Sequence, residues 1–141
     1  MTWQSQRLPG DHPPVSSGKI GVLLINLGTP DGPAPDSVRR YLKQFLSDKR
    51  VVEIPPIIWQ LILRGVILNT RPQKSSRAYS KIWTERGSPL ADITARQAEA
   101  MIGRFGESVV VDYAMRYGNP SIESRLTALM SQGCDRILIA P

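Results

Sequence analysis

Histidine and cysteine are almost missing from this sequence: its 141 residues hold one of each, His12 and Cys134. A Cys/His metal centre takes about three or four protein ligands, which one chain of this composition cannot supply. A single cysteine also excludes an internal disulfide framework. Histidine-dependent catalysis would have to use His12, which lies in a Pro- and Ser-rich opening stretch. Residues 1–18 lack the continuous apolar run of a secretory signal and read as a disordered leader, with order beginning at Lys19. The longest apolar run, Ile54 to Leu68, is cut by Arg64 and two prolines. It is shorter than the ~20 residues a membrane-spanning helix needs. The turn after the first apolar segment is neither G-x-G-x-x-G nor a Walker lysine loop, so nothing there cradles a pyrophosphate. An intracellular, reducing setting is the default expectation.

One sign of charge is missing over a long stretch. The chain carries 18 Lys+Arg against 12 Asp+Glu, a formal net charge of +6. From Ile54 to Thr84 there is no carboxylate, while Arg64, Arg71, Lys74, Arg77 and Lys81 fall within the same stretch. Basic residues among Ile, Leu and Trp suit an anionic amphiphile: a lipid surface, or a flat hydrophobic ligand carrying carboxylates. Nucleic acid fits less well, because aliphatic residues are many and aromatics few. The competing reading is a core helix, Ile57 to Leu68, followed by a solvated charged one.

Hydrophobic residues at 41% suffice for one core, and 12 Pro with 11 Gly fit a mixed fold rich in turns. Ile20 to Asn26 (IGVLLIN) reads as a strand buried on both faces. Leu27 to Pro35 reads as a loop. Val38, Tyr41, Leu42, Phe45 and Leu46 share one helical face, with Asp36 or Ser37 as the cap. Val51 to Ile54 reads as a strand remnant or a loop, and a helix is expected over Ser75 to Trp83. Ser88-Pro89 opens another helix, with Leu90, Ile93, Ala98, Met101 and Phe105 as its buried stripe. Ser108 to Ala114 is a strand, and Asn119-Pro120 starts a helix with the stripe Ile122, Leu126, Leu129 and Met130. Gly133 closes that helix, and Arg136 to Ala140 is a further buried strand. This alternation predicts an α/β fold, a parallel sheet with flanking helices and right-handed crossovers. The stop at Pro141, directly after a strand, reads as the front portion of a longer protein; the other reading is a small domain with an edge strand there.

In open α/β sheets ligands bind beyond the carboxyl ends of the strands. That selects Asn26 to Thr29 and Met115 to Asn119, and with them Asn26, Leu27, Arg116 and Tyr117. The set holds no acid or base poised near neutral pH. Asn26-Leu27-Gly28 is equally compatible with a plain strand-to-loop turn. Trp59 and Trp83 line a pocket or fill core, Cys134 reads as a small buried hydrophobe, and Asp112 reads as a partner for a nearby base.

Several strings occur together and in order: GVLLINLGTPDGPAPDSVRRYLKQFLSD, then Tyr79-Ser80-Lys81-Ile82-Trp83, Gly87-Ser88-Pro89-Leu90, Met115-Arg116-Tyr117-Gly118-Asn119-Pro120, and Ile137 to Pro141. Over residues 19–141 the chain resembles the amino-terminal part of ferrochelatases, which insert ferrous iron into a porphyrin to make haem. The resemblance implies a Rossmann-like chelatase fold of two similar α/β domains flanking a porphyrin cleft, of which this chain is an incomplete first domain. It places Leu27 near the porphyrin face, Arg116 and Tyr117 on the inner pocket, Lys81 within reach of a propionate, and Ser88 in the family's Gly-Ser-Pro segment. The segment 54–77 then corresponds to the lip over the cleft, with peripheral membrane contact.

Metal insertion needs the macrocycle bent, a base for two pyrrole protons and a group that hands over the metal. The family's His and Glu for these steps lie further along than this sequence extends, so no catalytic residue and no metal ligand is assigned here. The resemblance implies protoporphyrin IX and ferrous iron as substrates, no permanently bound cofactor, no nucleic-acid partner, and a cytoplasmic protein at the inner membrane face. The alternative is a non-enzymatic basic amphiphilic module that binds membrane or porphyrin.

Overall fold

The computed structural model describes residues 18–141. The expected leader, His12 included, lies outside the described residues except for Gly18, whose N–H donates to the Asp135 carboxylate at 2.8 Å. Three parallel strands form one sheet in the order β2-β1-β3: β1 is Lys19–Thr29, β2 Val109–Gly118 and β3 Cys134–Ala140. Five α-helices flank it: α1 Pro35–Ser47, α2 Pro56–Ile62, α3 Leu68–Ile82, α4 Pro89–Met101 and α5 Ile122–Ser131. The α/β class expected from the sequence is therefore the one found.

β1 lies in the middle and continues past Asn26. Gly28 pairs with Tyr117 and Thr29 with Gly118, so neither expected loop begins where the apolar runs end. The Arg-Tyr segment is likewise the last part of β2. Ladder hydrogen bonds to a neighbour outweigh the loss of apolar character at these strand ends. Gly28 sits at φ 116, and a Cβ there would lie 1.8 Å from the Tyr117 carbonyl oxygen. Its glycine is thus demanded by a close backbone approach and does not mark a simple turn.

Side chains alternate across β1. Leu23 packs with Ala114, Leu129 and Cys134 in a core shared with α5, with Ile25, Ile137 and Leu126 at its edge. Asn26, on the other face, donates from its side-chain nitrogen to Thr94 Oγ1 of α4 at 3.1 Å. A second core joins Val38, Tyr41 and Leu42 of α1 to Leu63, Leu68 and Tyr117. The α1 stripe is as expected, but the cap is not: the N-cap is Ala34, with no side-chain cap, and Pro35 starts the helix.

Other boundaries moved. Residues 51–54 form no strand. A nearly continuous helical rod runs from Pro56 to Ile82, broken by a π-helical turn at Leu63–Ile67, and Pro72 lies within it. Ser88 is the N-cap of α4 but makes no side-chain cap bond, and its buried residues are Thr94 and Ala98. Ile93 and Phe105 are exposed. The Asn119-Pro120 bond is cis, and the cap of α5 is Ser121, whose Oγ accepts from Ser124 N–H at 3.2 Å. Leu129 is the buried anchor of α5, while Met130 is exposed. Gly133, at φ 85, ends that helix as expected. β3 was expected to be buried, yet it lies at the sheet edge with Leu138 60% and Ile139 50% exposed. Cys134 is buried, and Asp112 pairs with Arg125 of α5 at 3.4 Å, both as expected.

Candidate functional site

β1 and β2 run parallel in register, with Asn26 opposite Met115 and Gly28 opposite Tyr117. That register sets Leu27 level with Arg116 at the carboxyl end of the sheet. Leu27 is 51% exposed, unusual for a leucine on a central strand. Asn26 is turned inward by Thr94, and its side-chain oxygen accepts from the Leu27 N–H at 2.8 Å. Asn26 is thus committed to holding the strand end against α4.

Arg116 and Tyr117 are adjacent in sequence and joined through a third residue that the sequence did not single out. One oxygen of Asp48, Oδ2, accepts from Arg116 Nη2 at 2.8 Å and from the Tyr117 hydroxyl at 2.9 Å. Arg116 Nε also donates to the Tyr117 oxygen at 3.2 Å, and its guanidinium carbon lies 5.3 Å from the Tyr117 ring centre. The Tyr117 ring is buried in the α1 core and meets Phe45 edge to face at 5.1 Å. Its hydroxyl position is therefore fixed from behind. The backbone N–H of Arg50, then the Tyr117 hydroxyl and Arg116, hold the Asp48 carboxyl down at about 2. The Tyr117 hydroxyl and Asp48 push the Arg116 guanidinium further above its usual value. The trio is a charged, fully paired cluster at neutral pH.

Gln44, Ser47, Asp48, Arg116, Tyr117 and Ile122 line an open depression of about 440 Å³. Two turns earlier on α1, Tyr41 donates its hydroxyl to the Gly28 carbonyl at 3.2 Å, and burial pushes its pKa up to about 12. Tyr41 is thus a fixed donor that anchors the β1 end.

The basic apolar segment behaves differently from a core helix. α2 has no buried residue; Ile57 is 82% and Leu61 72% exposed. Leu63 and Leu68, two and seven residues beyond Leu61, are buried. Pro56, Ile57, Gln60, Leu61, Arg64 and Gly65 surround a shallow apolar hollow of about 640 Å³. Trp59 is absent from that hollow: it packs on the α1 core and donates its Nε1 to the Leu46 carbonyl at 2.6 Å. Trp83 meets Tyr79 edge to face at 6.3 Å. Arg64, Arg71, Lys74, Arg77 and Lys81 are exposed and form no ion pair among the described residues. Lys81 and Ser88 therefore stand apart from the Asp48 cluster, Lys81 in solvent at the end of α3 and Ser88 buried at the start of α4.

A family model described as Ferrochelatase matches residues 19–141. The chain belongs to the ferrochelatase family. It is 54% identical over 145 residues to a ferrochelatase of Rhizobium etli, covering 100% of this chain and 42% of the relative. It is 57% identical over 127 residues to that of Chromobacterium violaceum, covering 87% of this chain and 35% of the relative. It is 54% identical over 127 residues to ferrochelatase 2 of Shewanella oneidensis, covering 88% and 39%. The chain spans about two fifths of the length of the curated relatives it matches. Among the described residues, no helix is long and apolar enough to cross a membrane, and no group of three His, Cys, Asp or Glu residues is placed to hold a metal ion.

Proposed function

We propose that this chain supplies the porphyrin-holding amino-terminal part of a ferrochelatase, which inserts ferrous iron into protoporphyrin IX to form protohaem. The observation that carries the reading is the level placement of exposed Leu27 beside the Arg116–Tyr117 pair, at the carboxyl ends of two neighbouring parallel strands. An apolar side chain there offers contact to the face of a flat ring. The guanidinium and phenol beside it offer donors to a ring carboxylate. Asn26 holds the end of β1 against α4, and Ser88 belongs to the Gly-Ser-Pro segment at the start of that helix. Lys81 provides a solvent-facing cation for a propionate at the cleft entrance. Ferrous iron is a substrate of this reaction, and no resident cofactor is called for.

The part played by these residues is to bind and bend the macrocycle, so that remote contacts offset the cost of distortion. The base and the metal-handing group belong to segments outside 19–141. The 141-residue chain should therefore bind protoporphyrin IX without metallating it. Anaerobic incubation with ferrous iron, followed by the Soret and visible bands, tests this: porphyrin binding with no haem spectrum is expected, and haem formation would overturn it. Failure to bind porphyrin would remove the ligand reading altogether.

Segment 54–77 is proposed to rest on the inner face of the cytoplasmic membrane. The exposed Ile57 and Leu61 beside unpaired bases favour this reading. Flotation on vesicles containing anionic lipid should retain the chain. Binding lost on neutralising Arg64, Arg71, Lys74 and Arg77, with no porphyrin spectral shift in any variant, would instead favour the non-enzymatic amphiphilic module.

A further inference from the structure

We propose that Asp48 is an internal carboxylate that occupies the Arg116–Tyr117 donor pair until a carboxylate of the ligand displaces it, and that this exchange releases the chain segment leading into α2. The proposal rests on Arg116 and Tyr117 being ligand-binding residues, as argued above.

Four observations carry it. First, Asp48 Oδ2 takes both donors, at 2.8 and 2.9 Å, the arrangement a bound carboxylate would adopt. A guanidinium already neutralised by one carboxylate offers little attraction to a second, so ligand and Asp48 must compete. Second, the competition is sterically open: the side chains of Arg116 and Asp48 are 38% and 22% exposed and face a depression of about 440 Å³. Third, Asp48 anchors more than its ion pair. Its carboxylate accepts from the Arg50 N–H at 2.9 Å, and its carbonyl accepts from the Val51 and Val52 N–H groups at 3.0 and 3.2 Å. The turn that starts residues 49–55 is thus built on Asp48. Fourth, α2, at the far end of that segment, buries none of its own residues and is tied back through the half-buried Trp59. Within α2, movement of the Asp48 turn is therefore opposed by the Trp59 contact and not by any fully buried side chain.

Exchanging one carboxylate for another conserves charge at Arg116. A ligand lacking carboxylates cannot make the exchange, so Asp48 acts as a selectivity device for anionic ligands. It is a positioning residue and need not touch the reacting atoms.

The test uses the 141-residue chain and Asp48→Asn, with Asp48→Ser as a second variant in case the first folds poorly. Arginine side-chain 15N spectra are titrated with sodium propionate, the Arg116 signal being assigned with Arg116→Lys. In the wild type the Arg116 Nε signal should barely move; in the variant it should shift and saturate. Equal responses would overturn the proposal. Fluorescence titrations then compare protoporphyrin IX with its dimethyl ester. Asp48→Asn should bind the free acid about 2- to 5-fold tighter, the worth of one part-exposed ion pair, and bind the ester as the wild type does. Weaker free-acid binding, or an equal change for acid and ester, would make Asp48 merely structural and sink the idea. If neither variant binds porphyrin, the proposed ligand fails, and the propionate titration still decides whether Asp48 blocks the donor pair.

Discussion

At Gly28 a methyl group would meet the backbone oxygen of Tyr117 at 1.8 Å, whereas at Gly87, also at positive φ, it would meet nothing within 4 Å. Gly28→Ala should therefore cost about 3 kcal/mol or more, from strain and clash together. Gly87→Ala should cost about 1–2 kcal/mol from backbone conformation alone. Urea unfolding midpoints of the two variants check the contrast. Asp48 makes a second prediction at this scale. Its folded pKa of about 2 lies below the ordinary 3.8, so its contribution to stability is complete above about pH 4–5. It is lost as pH falls through the folded value. The stability difference between wild type and Asp48→Asn should be constant from pH 5 to 7 and close towards pH 2, followed by denaturant unfolding at each pH. The sequence singled out Arg116 and Tyr117 because they follow an apolar strand segment. Asp48 was not singled out, since it joins them across 68 and 69 positions and carries no local pattern beyond standing at the end of a helix.

Periodicity worked where one face of an element meets a core and the other meets water. The α1 stripe is of that kind, while the centre of β1 was legible as a continuous apolar run buried on both faces. Periodicity gave no decision over Pro56 to Leu68, where apolar residues continue around the helix while burial does not, so a core helix and an exposed amphiphilic one both stayed open. Leu63 is fully buried in the π-helical turn and Leu61, two residues earlier, is largely exposed, although both stand in the same apolar run Leu61-Ile62-Leu63. Leu63→Ala should destabilise by about 2–5 kcal/mol, and Leu61→Ala should stay within about 0.5 kcal/mol. Thermal or urea unfolding separates the two. Strand lengths were underestimated for a related reason. The residues that extend β1 and β2, such as Thr29 and Arg116, are polar, and only the presence of a neighbouring strand makes them part of the ladder.

At the scale of the whole molecule, the charge excess seen in the sequence is a property of one surface. Its five bases extend along the rod from Arg64 to Lys81, outside both cores. The paired cluster at Asp48 lies on another part of the molecule and nearly cancels its own charge. Arg39 binds the Leu68 carbonyl and, at 3.2 Å, the Asn69 side chain, so the rod is tied to α1 at the start of α3. The sheet class was legible because short apolar segments alternated with helical ones. The sheet order was not, because nothing in the composition of β3 reveals that it lies at an edge.

That order also has a consequence in time. β1, the first of the described strands in chain order, has both of its partners downstream: Ile20 pairs with Val109 of β2 on one side and with Arg136 of β3 on the other. At about 5–20 residues per second, the apolar run Ile20 to Asn26 must wait several seconds or more, with both edges open, before β2 is made. During synthesis the apolar strand at the middle of the sheet is also its longest-lived unpaired one.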